Sequence, residues 1–251
     1  MTSFLDRWRE RRILKRQPIA EADWRGAVGQ SAALQGLNAS DQARLRVLAT
    51  LFLHDKSLEP VQGLQMDSGM RTWLAALACL PILKLGLHWY REWHSIVVYP
   101  DVFVPEREYM DAAGVVHRQH TPMHGEAWEQ GPVILAWESM RQATEGHNVV
   151  IHEMAHKLDM LNGEANGFPP LPARMDRRAW ARVLGSAFRQ LEQRVQEGYP
   201  PPLDPYGLES PGEFFAVASE AFFEAPRRLR NFSPELYRQL SLFYRQRPLP
   251  E

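Results

Sequence analysis

The chain has 251 residues, 45% of them hydrophobic and 24% charged, with a formal net charge of -1. That is the composition of an ordinary globule, and the near-zero charge excludes the broad basic field that binds nucleic acid. The one cysteine, Cys79, cannot form an intramolecular disulfide; it lies in an apolar run and reads as a buried structural thiol, consistent with a reducing compartment.

Phe4 to Lys15 reads as a short amphipathic helix. Its basic cluster is diluted by Asp6 and Glu10 and reads as a solvated face, with contact to an acidic partner or a membrane surface as the alternative. The same stretch is charged throughout, so no secretory signal is expected. Asn38 to Leu53 is a second helix with Ser40 as N-cap, and Asp67 to Cys79 a third, capped by Asp67 or Ser68 and ended by Pro81. The apolar run from Trp73 to Leu87 is broken by Pro81 and Lys84 and falls short of the roughly 20 residues of a bilayer span. A cytoplasmic protein without membrane contact is therefore expected.

His94 to Val104 is β-branched and aromatic and reads as a strand that Pro100 can split. Val133 to Trp137 is a second strand. Its place before the next helix allows an edge strand lining a cleft, able to pair with an extended peptide, or equally an ordinary core strand. His117, His120 and His124 lie in the polar stretch between; no shared spacing aims them at one centre, so a second metal site is not expected.

Asn148 to Leu161 reads as a helix that carries the main chemical signal. His152-Glu153-Met154-Ala155-His156 is HExxH, in which two imidazoles four residues apart share one face and can grip one zinc ion. Glu153 leans toward the remaining coordination position, where a carboxylate can take a proton from an activated water. Ile151, Met154, Ala155 and Leu158 form the apolar stripe of the same helix. Asp176 to Glu197 is a long helix, and residues 198–207 form a proline-rich loop. Ser210-Pro211-Gly212-Glu213 opens a further helix with Phe214, Phe215, Ala218, Ala221 and Phe222 inward, and Pro234 to Tyr244 is the last.

A catalytic zinc needs a third protein ligand. The extension HExxHxxGxxH fails, because Asp159 and Asn162 stand where Gly and His are required. A later carboxylate is expected instead, and Glu164, Asp176, Glu213, Glu220 and Glu224 are the candidates. Glu164 sits in a Gly/Asn loop, and Asp176 reads better as a helix cap. Glu213 opens a rigid amphipathic helix, but Ser210-x-x-Glu213 is also a capping box. Asp159 and Glu220 could accept the second ring N–H of a histidine. Tyr206 reads either as a packed loop aromatic or as a phenol able to donate to an oxyanion. The tail from Arg245 to Glu251 could lie over the site.

NVVIHEMAHKLDMLNG and EFFAVASEAFF, with Tyr206 and Glu213, resemble the Mlc titration factor A family of bacterial zinc peptidases, itself related to the catalytic domain of anthrax lethal factor. The resemblance implies His152, His156 and Glu213 as zinc ligands, Glu153 as catalytic base and Tyr206 as transition-state stabiliser. It also implies an aminopeptidase-like activity on small substrates and binding of the sugar-responsive repressor Mlc.

The expectation is an α+β, mostly helical zincin-like metallopeptidase of gluzincin type with a small sheet. Residues 1–251 would form one domain, with an upper lobe to about 161, a lower lobe from about 162 and the cleft between them. The cofactor would be Zn2+ and the substrate a peptide. The competing expectation is a regulatory protein-binding module in which peptidase activity is subordinate. A closed structural zinc site is disfavoured, because such sites use four Cys/His ligands.

Overall fold

The computed structural model describes residues 4–103, 107–110, 116–119, 124–128, 131–142 and 146–249. It is α+β and mostly helical. The first part of the chain forms helices α1 (Phe4–Arg16), α2 (Glu21–Gly29), α3 (Ala32–Gln35) and α4 (Ala39–Asp55), then strand β1 (Ser57–Pro60) and helix α5 (Ser68–Cys79). α5 is buried continuously from Thr72 to Cys79, as befits a helix apolar on every side. Asp67 caps it by accepting from Met70 N, while α4 is capped by Asn38 rather than by Ser40. Burial pushes the Cys79 thiol far up, so it stays protonated and inert.

Strands β2 (Ser95–Tyr99), β3 (Arg107–Met110), β4 (Val116–Gln119), β5 (Gly125–Ala127) and β6 (Val133–Ala136) follow. One sheet runs β1-β2-β6-β5, and β3 and β4 form a separate antiparallel ribbon. β1, β2 and β6 are mutually parallel, whereas β5 runs antiparallel to β6. The strand expected at residues 94–104 is therefore β2, with Val104 outside the described residues. The strand expected at residues 133–137 is β6, and it is interior; the edge belongs to β5. β6 fits that place, since Val133, Leu135 and Ala136 are fully buried.

The rest is helical: α6 (Trp137–Arg141), α7 (Val149–Asp159), α8 (Arg177–Gln196), α9 (Pro211–Glu224), α10 (Pro226–Phe232) and α11 (Pro234–Tyr244). α7 lies between the β5–β6 end of the sheet and α9. α9 is buried from Phe214 to Phe223, and Phe215 and Phe222 pack against Phe243 and Tyr244 of α11. Thus α7 and α9, far apart in the chain, pack directly against each other at the centre. Among the described residues no helix is long and apolar enough to cross a membrane.

Candidate metal centre

α7 starts where Asn148 Oδ1 accepts from Ile151 N at 3.2 Å, a side-chain cap on the first turn. Its apolar stripe, Ile151, Met154, Ala155 and Leu158, has no solvent exposure. That anchoring turns His152 and His156 toward α9. Ser210 Oγ caps α9 by accepting from Glu213 N at 3.1 Å. The Glu213 carboxylate does not complete a capping box; it turns to the histidines. Half of the box and the cluster coexist.

His156 Nε2 lies 3.1 Å from His152 Nε2, and Glu213 Oε2 lies 3.0 and 3.2 Å from the His152 and His156 Nε2 atoms. Donors at about 2.0–2.1 Å from a tetrahedral zinc ion are about 3.3–3.4 Å apart. The triangle therefore matches one face of such a shell to within roughly a few tenths of an ångström. Among the described residues it is the one group of three His, Cys, Asp or Glu donors so placed. The chemistry of the set, two imidazoles and one carboxylate, suits a catalytic zinc ion, which takes three protein ligands.

Electrostatics agree. Burial disfavours an imidazolium at His152, but Glu213 and Glu220 outweigh it and raise the ring well above the usual histidine value. Burial likewise pushes Glu213 up, yet the bonds to the two histidines win and hold it at about 2. The cluster is thus a sink for positive charge at one point, which a divalent cation can fill in place of protons.

Glu220 Oε1 takes the Nδ1 hydrogen of His152 at 2.7 Å, leaving Nε2 as the lone-pair nitrogen. Its Oε2 accepts from Asn148 N at 2.5 Å, and Glu224 Oε1 accepts from Asn148 Nδ2 at 2.7 Å. Two carboxylates of α9 thereby grip the start of α7. Replacement Glu220→Ala should lower zinc affinity about 10–100-fold, measured against a chromophoric chelator; unchanged affinity would deny Glu220 any part in orienting His152.

Glu153 is buried beside the triangle, and its Oε2 has no hydrogen-bond partner among the described residues. Burial raises its carboxyl against the pull of His152 and His156. β5 covers it: a Cβ on Gly125 would come 2.5 Å from Glu153 Oε1 and 2.7 Å from Val149 Cγ2. The turn after β5 is tied to α7 by the buried Lys157, whose Nζ donates to Trp128 O at 2.6 Å and Gly131 O at 3.3 Å. Neither Gly125 nor Lys157 carries a recognisable sequence signal.

Tyr206 sits in a 3-10 turn, Pro205–Leu208, just before α9. Asp204 Oδ1 accepts its N–H at 2.9 Å, and Asp204 Oδ2 is 3.2 Å from His147 Nδ1. The ring centroid is 6.0 Å from that of His152, and the residue is 42% exposed, so this is a phenol on the rim and not a packed loop aromatic. Burial and the nearby Glu213 push its hydroxyl up to about 12, which keeps it a donor at neutral pH.

The remaining candidates are elsewhere. Glu164 is exposed, and Asp176 caps α8 by accepting from Arg178 N and Ala179 N. Asp159 Oδ2 accepts from Gly167 N at 2.7 Å instead of from a histidine. His124 pairs with Ser139 Oγ at 2.8 Å, while His120 and the His117 side chain lie outside the described residues. The C-terminal tail does not cross the centre: Gln246 Nε2 donates to Leu80 O at 2.9 Å, and Leu249 N donates to the Tyr237 hydroxyl at 3.2 Å. Residues 250–251 lie outside the described residues.

A helix-borne pair of histidines beside a buried glutamate, joined by a carboxylate from a distant helix, is the arrangement of a metallopeptidase. The family model for the glucose-regulated metallo-peptidases M90 matches residues 5–245, and the chain belongs to that family. It is 40% identical over 240 residues to Mlc titration factor A of Yersinia enterocolitica, covering 93% of this chain and 89% of that protein. It is also 40% identical over 242 residues to Mlc titration factor A of Serratia proteamaculans, covering 93% and 91%. A third relative of that name, from Salmonella arizonae, is 40% identical over 220 residues, covering 86% of this chain and 87% of the relative. A metallopeptidase family implies a metal, and the His152, His156 and Glu213 cluster has the donors for one.

Proposed function

We propose that the chain is a zinc-dependent peptidase of aminopeptidase-like, gluzincin type, with His152, His156 and Glu213 as ligands, Glu153 as base and Tyr206 as oxyanion donor. The observation that carries this is the triangle of donor atoms at 3.0–3.2 Å with Glu153 Oε2, unpartnered among the described residues, buried beside it. When bound, zinc would acidify water and polarise the scissile carbonyl. An extended peptide lies along the edge of β5 that no described strand pairs with, where main-chain hydrogen bonds hold it. Glu153 takes a proton from the attacking water and delivers it to the leaving amine nitrogen. The Tyr206 hydroxyl donates to the oxyanion of the tetrahedral intermediate. The aminopeptidase preference rests on the family resemblance and not on a feature of the cleft.

Tyr206→Phe should lower kcat about 100-fold with little change in KM, because the donor is needed only once the carbonyl oxygen carries charge; a rise in KM alone would make Tyr206 a binding residue. The function itself is tested by elemental analysis of the purified chain together with chromogenic aminoacyl and peptide assays, with and without chelator. About one zinc per chain and chelator-sensitive hydrolysis support the reading; zinc-free, chelator-insensitive protein ends it.

The name shared by the relatives favours a second role, capture of an Mlc-like repressor. Pull-down of purified repressor by the His152→Ala/His156→Ala chain separates the roles. Undiminished capture would place the repressor contact outside the metal centre.

A further inference from the structure

Asp159 is fully buried one turn beyond His156, and the proposed chemistry does not use it. Its Oδ2 accepts from Gly167 N at 2.7 Å. Burial raises its carboxyl to about 6, opposed by the Gly167 N–H, by the nearby His156 and then by the Phe168 and Asn166 N–H groups. One carboxylate oxygen is thus tied to the loop after α7, while Oδ1 has no hydrogen-bond partner among the described residues. Trp180 of α8 fixes the same loop from the other side, donating Nε1–H to Gly167 O at 2.9 Å.

That loop lies backbone to backbone against the first turn of α9. Gly167 has φ +76°, and a Cβ on it would come 2.6 Å from Pro211 O. A Cβ on Gly212 would come 2.7 Å from Ala165 O. The two glycines allow a close approach that no other residue permits. The residue after Gly212 is Glu213. The same short path therefore runs from the last turn of the histidine helix, through one carboxylate and one loop, to the peptide unit that carries the distant acid.

We infer that Asp159 is a positioning residue: through the 165–167 loop and its glycine contact with Pro211–Gly212, it sets the distance and angle at which Glu213 meets His152 and His156. This deepens the zinc reading and rests on it. The Ser210 cap fixes how α9 begins, and Glu220 fixes the His152 ring. Neither sets the spacing between α7 and the first turn of α9 at the His156 end. The Asp159 contact does.

The test uses the full chain with zinc, and with cobalt(II) in its place as a spectroscopic probe. Asp159→Ala should bind zinc about 10–100-fold more weakly, by analogy with other residues that support ligands indirectly. It should also change the visible bands of the cobalt form, which report ligand geometry, while far-UV circular dichroism stays that of the unmodified chain. If Asp159→Ala does not fold, Gly212→Ala takes its place. Alanine is favoured inside a helix, so that variant acts through its contact with Ala165 O and should shift the same cobalt bands. Unmodified chain that takes up neither metal overturns the zinc reading. Unmodified chain that binds both, with a folded variant of equal affinity and identical cobalt bands, overturns the role of Asp159 alone.

Discussion

Glu153→Gln should carry as much zinc as the unmodified chain and hydrolyse peptides about 10²–10⁴ times more slowly, the range of a positioned general base. The reason is a separation of labour on one helical turn. The donor triangle is made by His152, His156 and Glu213, and Glu153 is not part of it. Glutamine has the same shape, so the buried space beside Gly125 is filled as before. What it lacks is a group that can take a proton and give it back. Elemental analysis and initial rates on one preparation decide the matter: equal zinc with equal rates would remove Glu153 from the chemistry, and loss of zinc would make it a structural support of the site.

Gly125→Ala should lower kcat/KM about 100-fold while leaving zinc affinity within about twofold, the scale on which a displacement of about 1 Å at a catalytic group acts. The added methyl would lie 2.5 Å from Glu153 Oε1, 2.9 Å from Glu153 Cγ and 2.7 Å from Val149 Cγ2. Glu153 is buried and Val149 partly buried on α7, so making room means displacing the end of the base itself. β5 cannot simply withdraw either. It is paired with β6 through Gly125 and Leu135, and Lys157 ties its following turn to α7. The base must move, whereas the three ligand atoms are not among the nearest contacts of that methyl and need not. Overpacking of this kind costs about 1–3 kcal/mol of stability, so a thermal melt run beside the kinetics separates a displaced base from a lost fold. Unchanged turnover would show that Glu153 tolerates the shift and that β5 does not fix it.

How much of this could be read from the residues alone follows from the length scale of each signal. HExxH is local, and its helix, cap and apolar stripe can all be read within a few turns. The long helices were equally legible, to within a residue or two. α2, α3, α6 and α10 were not expected, because elements of 4–9 residues show too few turns for a period to emerge. β1, with Glu and Pro in four residues, does not read as a strand at all. β6 is legible as a strand but not its place, edge or core: the apolar run that makes a strand interior says nothing about its neighbours, and β5 is too short and too polar to declare itself the edge. Glu213 could be read as ligand or cap from its spacing to Ser210, and only the family resemblance favoured the first. Gly125, Lys157 and the loop at Gly167 were beyond reach, since each matters through a partner distant in sequence.

His152 and Glu213 are 61 residues apart, and the chain between them includes all of α8 and the proline-rich turn. A cation held by both would act as a clasp on that excursion, present only when α7 and α9 have already met. Whatever binds the native chain and not the unfolded one stabilises it, by about 4 kcal/mol at a thousand times the dissociation constant. Scarcity of the ion would then be felt first as susceptibility of this half of the chain to proteolysis, so the cell's metal supply would govern how long the protein survives as well as how fast it works.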